Sequence, residues 1–397
     1  MSDWPVRTLE ELCTRITVGH VGSMAHEYIP NGVPFLRSQN IRRGSLDLSS
    51  VKYISKEFHQ RLTKSALLAG DLAIVRTGEP GATALIPDGI GEMNCSDIVI
   101  ARPGSDVDGQ FLCYAINATA QRFIDAHTVG AVQQHFNVSS AKKLSLAVPP
   151  LTVQRSIADT LSALDDKIAV NDRIATCSLA LADAHFSEAV AGVAVGPETF
   201  NSVAQVGGGG TPSTKAPEYW DGNIAWTTPS DVTALRSPYL FDTNRKITTE
   251  GLDNCASPLY PAGSIFMTSR ATIGAFAIPQ VPAAVNQGFI VVVAPDKPIA
   301  MWLFHEMRDR VDEMRSLANG STFLELSRKN FKAMSIRMPG PAKVAKFAEI
   351  AIPLHQKAAA VSAENATLLA LRDTLLPELM SGRLRVKDAE KVVEEAV

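Results

Sequence analysis

The sequence predicts an α+β protein: two α/β domains in tandem pseudo-repeat, joined by two long helices that form an antiparallel coiled coil. Three observations carry this expectation. Five segments recur in the same order at one offset, which marks a tandem duplication. Short apolar runs bounded by Gly, Pro, Asn and Ser turns fill the first part of each copy, as strands would. A long stretch with helical apolar spacing closes each copy.

The repeat can be read residue by residue. GVPFLRSQNI (32–41) matches GNIAWTTPSDV (222–232), with Phe35 opposite Trp226. AGDLAIVRT (69–77) matches AGSIFMTSR (262–270), and GATALIP (81–87) matches GAFAIP (274–279). NCSDIVIARP (94–103) pairs with NQGFIVVVAP (286–295), and KKLSLAVP (142–149) with KAMSIRMP (332–339). Subtraction puts every pair about 190 residues apart, and five ordered matches at one offset exclude coincidence.

The β-type runs are 71–76 and 98–102 in the first copy, 264–268 and 289–294 in the second. After the Pro149-Pro150 pair a helix is expected to about residue 191. Its stripe of Ile157, Leu161, Leu164 and Ile168 follows the 4-3-4 spacing of a coiled-coil seam. In the second copy Leu354, Ala358, Val361, Asn365 and Leu368 follow a similar spacing, and Pro353 should kink or restart that helix. Each stripe could pack on its own domain; two copies of a domain-plus-helix unit also allow the helices to pair with each other. Asn171 and Asn365 fall on the stripes, where a polar residue can set register or sit partly exposed. The boundaries expected are 1–150 and 192–340 for the domains, 151–191 and 341–386 for the helices, and 387–397 for an acidic tail.

Hydrophobic residues make up 46% of the chain and charged ones 20%, a globular composition too long for one ordinary core. Five scattered cysteines without CxxC pairs suit reduced thiols, and no run of about 18 apolar residues suggests a membrane span. A cytoplasmic location and no membrane contact are expected. The net charge of −3 is unusual for a nucleic-acid binder, which needs basic residues collected on one face or supplied by partners.

The residues resemble a known family, the specificity subunits of type I restriction–modification systems. The resemblance runs over the chain to about Val386. It rests on GGTPST (209–214), EYWDG (218–222), TPSD (228–231), KITTEG (246–251), TSRATIG (268–274) and NQGF (286–289). The helices add PLTVQRSIA (150–158), LDDKI (164–168) and LRDTLLPELMSGRLRV (371–386). The resemblance implies two target-recognition domains, each reading one half of a bipartite double-stranded DNA target. It also implies a coiled coil that spaces them and docks two methyltransferase subunits. Those subunits would bring S-adenosylmethionine and methylate adenine, and restriction (motor) subunits would join the complex. The first copy has GHVG (19–22) and LRSQ (36–39) where the second has GGTP and TPSD, so the two half-sites should differ.

The chain itself carries no recognisable catalytic chemistry. There is no Asn/Asp-Pro-Pro-aromatic loop, no Gly-Lys-Ser/Thr after the GGGG of 207–210, and no HExxH. The GGGG run is read as a flexible entry to the second domain. A non-catalytic subunit with no cofactor and no metal of its own is expected. A protein-binding adaptor and an enzyme with an unfamiliar site stand as alternatives.

Reading bases calls for Arg against guanine and Asn or Gln against adenine, with Lys, Ser and Thr on phosphates. The candidates in the first domain are Arg37, Gln39, Asn40, Arg42, Arg43, Arg76, Thr77, Gln133 and Gln134. In the second they are Thr227, Thr228, Ser230, Asp231, Ser269, Arg270, Ser321, Thr322 and Arg328. A helix over 151–191 would be on the order of 60 Å long, enough to separate half-sites about 34 Å apart per turn of DNA. Adding or removing one helical turn after Asp165 is expected to change the gap between half-sites and leave both half-sites unchanged. Mapping the recognised sequence tests this, and an unaltered gap in a folded variant would refute the ruler.

Overall fold

The computed structural model describes residues 4–127, 135–319 and 324–396. Gln133, Gln134, Ser321 and Thr322 lie outside the described residues. Two compact units emerge, one from residues 1–167 and 368–397, the other from residues 168–367. In chain order the elements used below are β1 (Cys13–Val18), β2 (Val33–Leu36), β3 (Lys52–Ile54), β4 (Leu72–Val75), β5 (Thr83–Leu85), β6 (Met93–Cys95) and β7 (Ile98–Pro103). Helices α1 (Gly109–Thr119) and α2 (Leu151–Val190) follow. The second set is β8 (Gln205–Gly207), β9 (Trp220–Thr227), β10 (Arg245–Ile247), β11 (Ile265–Thr268), β12 (Phe276–Pro279), β13 (Ala283–Val285) and β14 (Phe289–Val293). Helices α3 (Lys297–Asp309), α4 (Pro341–Met380) and α5 (Val386–Glu394) complete it.

The first unit has an antiparallel sheet in the order β5-β4-β7-β1. Its second sheet is built on a parallel pair, β2 and β6, with β3 antiparallel on the far side of β2. The second unit repeats the plan with β12-β11-β14-β8 and with the parallel pair β9 and β13 flanked by β10. Phe35 pairs with Asn94 and Trp226 with Ala284, so the parallel strand pairing recurs in both copies, with the partner strand shifted by two residues relative to the sequence match. The runs that open each hairpin are almost wholly buried, which explains why they read as apolar rather than alternating. One turn requires glycine in both copies. Gly81 and Gly274 have φ of 88° and 90°, and a Cβ there would come within 2.3 Å of Ile124 and 2.5 Å of Val311. Asp108 and Asp296 cap α1 and α3 alike, each accepting an N–H at 2.8 Å.

The long helices run antiparallel in both units. In the first, Asp165 of α2 accepts from Arg372 of α4 at 2.9 Å. In the second, Asn171 donates to Asn365 at 2.9 Å, Ala175, Ala358 and Val361 share one core, and Phe186 packs edge-on against Phe347. Ile157, Leu161, Leu164, Ile168, Asn171, Val361, Asn365 and Leu368 are all buried. Leu354 is only half-buried, and His355 takes the inward position beside it.

Two further expectations are corrected. Helix α4 continues through Pro353, so of the two outcomes expected there the restart does not occur. It stops at Met380 rather than 386, where Gly382, at φ 65°, donates to Leu379 and turns the chain. The tail is not a plain acidic extension, because residues 386–394 form α5, which buries Ala389 and Val393.

His355 belongs to a buried polar chain in the second unit. Tyr239 meets His355 Nδ1 at 2.9 Å, the two imidazoles meet Nε2 to Nε2 at 2.9 Å, and His305 Nδ1 meets Asp183 at 2.7 Å. Arg308 donates to the same carboxylate at 2.7 Å. With both imidazoles neutral, one set of tautomers satisfies every contact: Tyr239 donates to His355, His355 to His305, and His305 to Asp183. Burial pushes His355 down to about 3, reinforced by His305 and Arg308. Burial also lowers His305, against the pull of Asp183. Although burial favours its neutral form, Asp183 is held well below the usual carboxylate range by the hydrogen bonds from His305 and Arg308.

The unfolded chain therefore takes up protons below about pH 6.5 that the folded unit refuses. Stability from His355 is complete above about pH 6.5 and falls as the pH drops towards about 3, by up to ~1.4 kcal/mol per pH unit, and the lowering of His305 acts in the same direction. Between pH 6.5 and 4.5, where most carboxylates stay ionised, the melting temperature of the second unit should fall steadily, and His355→Leu should flatten that slope. A melting temperature equal at pH 7 and pH 5 would contradict this reading of the chain.

Candidate nucleic-acid interface

Each unit gathers the loops that follow its parallel strand pair onto one edge. In the first unit the Ser96 N–H donates to Leu36 O at 2.8 Å and the Phe136 N–H to Arg76 O at 3.0 Å. In the second, the Asn286 N–H donates to Thr227 O and the Leu326 N–H to Ser269 O, both at 3.0 Å. The same backbone frame thus brings together 36–40, 76–77 and 94–97 in one unit, and 227–231, 269–270 and 286–288 in the other. The GGGG segment, expected to be flexible, is packed into this edge. A Cβ on Gly209 would lie 1.8 Å from Val285 O, and Gly19 stands in the same relation to Ser96 O. Close approach of two backbones is the reason for glycine here.

On the first unit's edge, Gln39, Arg42 and Arg43 are exposed, and Arg37 is partly so. Asn40 is fully buried. Its side chain accepts from the Arg37 N–H at 3.0 Å and donates to Asp47 O at 2.9 Å, so it shapes the loop. Arg43 is a strut: it reaches Glu79 at 2.9 Å, Gln121 at 2.7 Å and Asn117 O at 3.2 Å. Among the described residues Arg42 has a single long contact, 3.4 Å to Asp47. Hydrogen bonds from Ser49 hold that carboxyl below its usual range, with Arg42 adding to them. Arg76 pairs with Asp97, and Thr77 bonds His135 at 2.8 Å.

On the second unit's edge, Thr228, Ser230, Arg270 and Arg328 reach the surface, while Thr227, Asp231 and Ser269 are buried. Asp231 accepts from the Thr228 N–H at 2.8 Å and from the Asn244 N–H at 3.0 Å, which makes it the brace of its loop. Arg270 pairs with Glu325 at 2.8 Å. The sequence reading missed three residues that share this edge. Thr211 donates to the exposed Gln287 at 2.7 Å, and Arg245, paired with Trp226 across β9 and β10, also lies here. The signal for Arg245 is cross-strand register and for Thr211 and Gln287 a loop-to-loop contact, neither of which the sequence displays. Among the described residues, the buried side-chain polar atoms without a partner are Arg37 Nε, Arg76 Nε and Thr227 Oγ1. All three belong to these edges, where unspent hydrogen-bonding capacity calls for an explanation.

Arg42 and Arg43 should therefore behave differently when truncated. Arg43→Ala is expected to raise amide exchange in 41–47 and 117–121 by about 5–30-fold, for a loss of ~1–2 kcal/mol. Arg42→Ala should leave it within about twofold. Equal effects in hydrogen-exchange mass spectrometry would contradict the strut.

A family model described as the type I restriction modification DNA specificity domain matches residues 1–176 and again residues 198–357. The MjaIX specificity subunit, a type I restriction enzyme component of Methanocaldococcus jannaschii, is 35% identical over 150 residues, 37% of this chain and 35% of that protein. The HindI specificity subunit of Haemophilus influenzae is 23% identical over 190 residues, 47% of this chain and 41% of that protein. The aligned stretches thus span between about a third and two fifths of those relatives. The crystal structure of a type I restriction–modification S subunit from M. genitalium covers 95% of this chain and 96% of its own, with a TM-score of 0.59 at 16% identity, a likeness of fold.

Proposed function

Because this chain belongs to the type I restriction modification DNA specificity family, we propose that its two units are the readers of a bipartite double-stranded DNA target. Each unit reads one half. The paired helices α2 and α4 set the gap and dock two methyltransferase subunits. S-adenosylmethionine and methyl transfer to adenine belong to those subunits, and cleavage to restriction subunits. This chain positions them and does no chemistry itself. Such a complex works in the cytoplasm; among the described residues no helix is long and apolar enough to cross a membrane.

One observation carries the proposal: the two edges share a backbone frame and differ in the side chains mounted on it. Arg37 and Gln39 stand where the other unit has Thr228 and Ser230, and Arg76 and Thr77 stand where it has Ser269 and Arg270. A conserved scaffold with exchanged polar groups suits two readers of unlike half-sites, since base edges are told apart by the donor and acceptor set presented to them. The charge balance supports the same division of labour. Arg42, Arg43, Arg76 and Arg270 are each paired with a carboxylate. Much of the phosphate neutralisation then falls to the partner subunits.

The test is to co-express the chain with its methyltransferase subunit in a methylation-free host and map methyladenine across the genome. A motif of two unlike halves with a fixed gap, present only with this chain, is expected. Methylation identical with and without the chain would contradict the proposal.

A further inference from the structure

Arg245 is held unlike any other arginine on the two edges. Its guanidinium carbon lies 3.5 Å from the centroid of the Trp220 ring and 5.7 Å from that of Trp226. The platform beneath it is fixed: Trp220 donates to Ser213 O and Trp226 to Gly210 O, both at 3.1 Å, and the two rings stand edge to face at 5.1 Å. The backbone of Arg245 is anchored too. Thr243 Oγ1 donates to Arg245 O at 2.7 Å and accepts from the Trp226 N–H at 3.1 Å. The adjacent Asn244 N–H bonds Asp231, which ties this strand to the 227–231 loop.

The side chain is nonetheless exposed. Arg42, Arg43, Arg76 and Arg270 face carboxylates, whereas no carboxylate faces Arg245 among the described residues. Asp242, three positions before it, pairs with Lys246 at 3.1 Å. A guanidinium stacked on an indole gives up rotamer freedom and keeps its in-plane N–H edge open. That edge is the fork that fits the O6 and N7 acceptors of guanine. We propose that Arg245 reads a guanine in the half-site of the second unit, an assignment that rests on the function proposed above. The first unit supplies a contrast. Its cross-strand equivalent is Lys52 opposite Phe35, a point charge on a flexible stem with no indole beneath it and no planar fork, so that position lacks the fixed geometry Arg245 has.

Methyladenine maps from the full complex carrying Arg245→Ala or Arg245→Lys test the assignment. Both variants should lose the guanine preference at one position of one half-site by about tenfold or more, with the other half-site and the gap unchanged. Continued reading of the other half-site also shows that the variant is folded. A motif unaltered in both variants would overturn the assignment. So would evenly reduced methylation in Arg245→Ala that Arg245→Lys restores, since that pattern belongs to a phosphate contact. If the unsubstituted chain directs no methylation of its own, the proposed function fails and this inference fails with it.

Discussion

The contact between Asn171 and Asn365 sets the frame in which the long helices meet. Both carboxamides are buried between the helices, and each spends its hydrogen bonds there: Asn171 on Asn365 and Glu364, Asn365 on Ile168 O and Asp172. Sliding one helix by a turn would bury these groups unpaired, at a cost of about 1–3 kcal/mol for each. An all-apolar seam would tolerate that slip far better. The register matters because each compact unit takes a part of both helices. The His355–His305–Asp183 chain extends the same logic within the second unit, binding α2, α3 and α4 through groups that, with both imidazoles neutral, admit one arrangement of protons.

The two candidate edges rest on a different constraint, the close approach of a glycine-bearing loop to a strand end. Gly19 and Gly209 admit no side chain, and the hydrogen bonds from Ser96 and Asn286 then close the loops over the parallel strands. With the backbone fixed this way, side chains at the rim can change without loss of the fold. This is how a duplicated domain can diverge in what it reads while keeping its architecture.

Much of this was legible in the sequence. Duplication at one offset predicted the repeated topology, and apolar spacing predicted the seam, because period and burial are directly coupled in a helix. What escaped depended on partners distant in sequence. Leu354 looked a better seam residue than His355, yet His305 and Tyr239 arrive to satisfy the imidazole. Asn40 and Asp231 have the chemistry of base readers but are consumed by their own loops. Arg245 became visible only once the register of β9 and β10 placed it against two tryptophans. The four-glycine run has the composition of a linker, and only the neighbouring strand end reveals its packing.

In the proposed function two separate edges of one chain read two separate tracts of DNA. This division is tested most directly by measuring the affinity of the assembled complex for duplexes with single base-pair substitutions at every position of the target. Two short tracts of sensitivity divided by an insensitive gap are expected. One continuous tract, or no sensitivity to sequence at all, would contradict it.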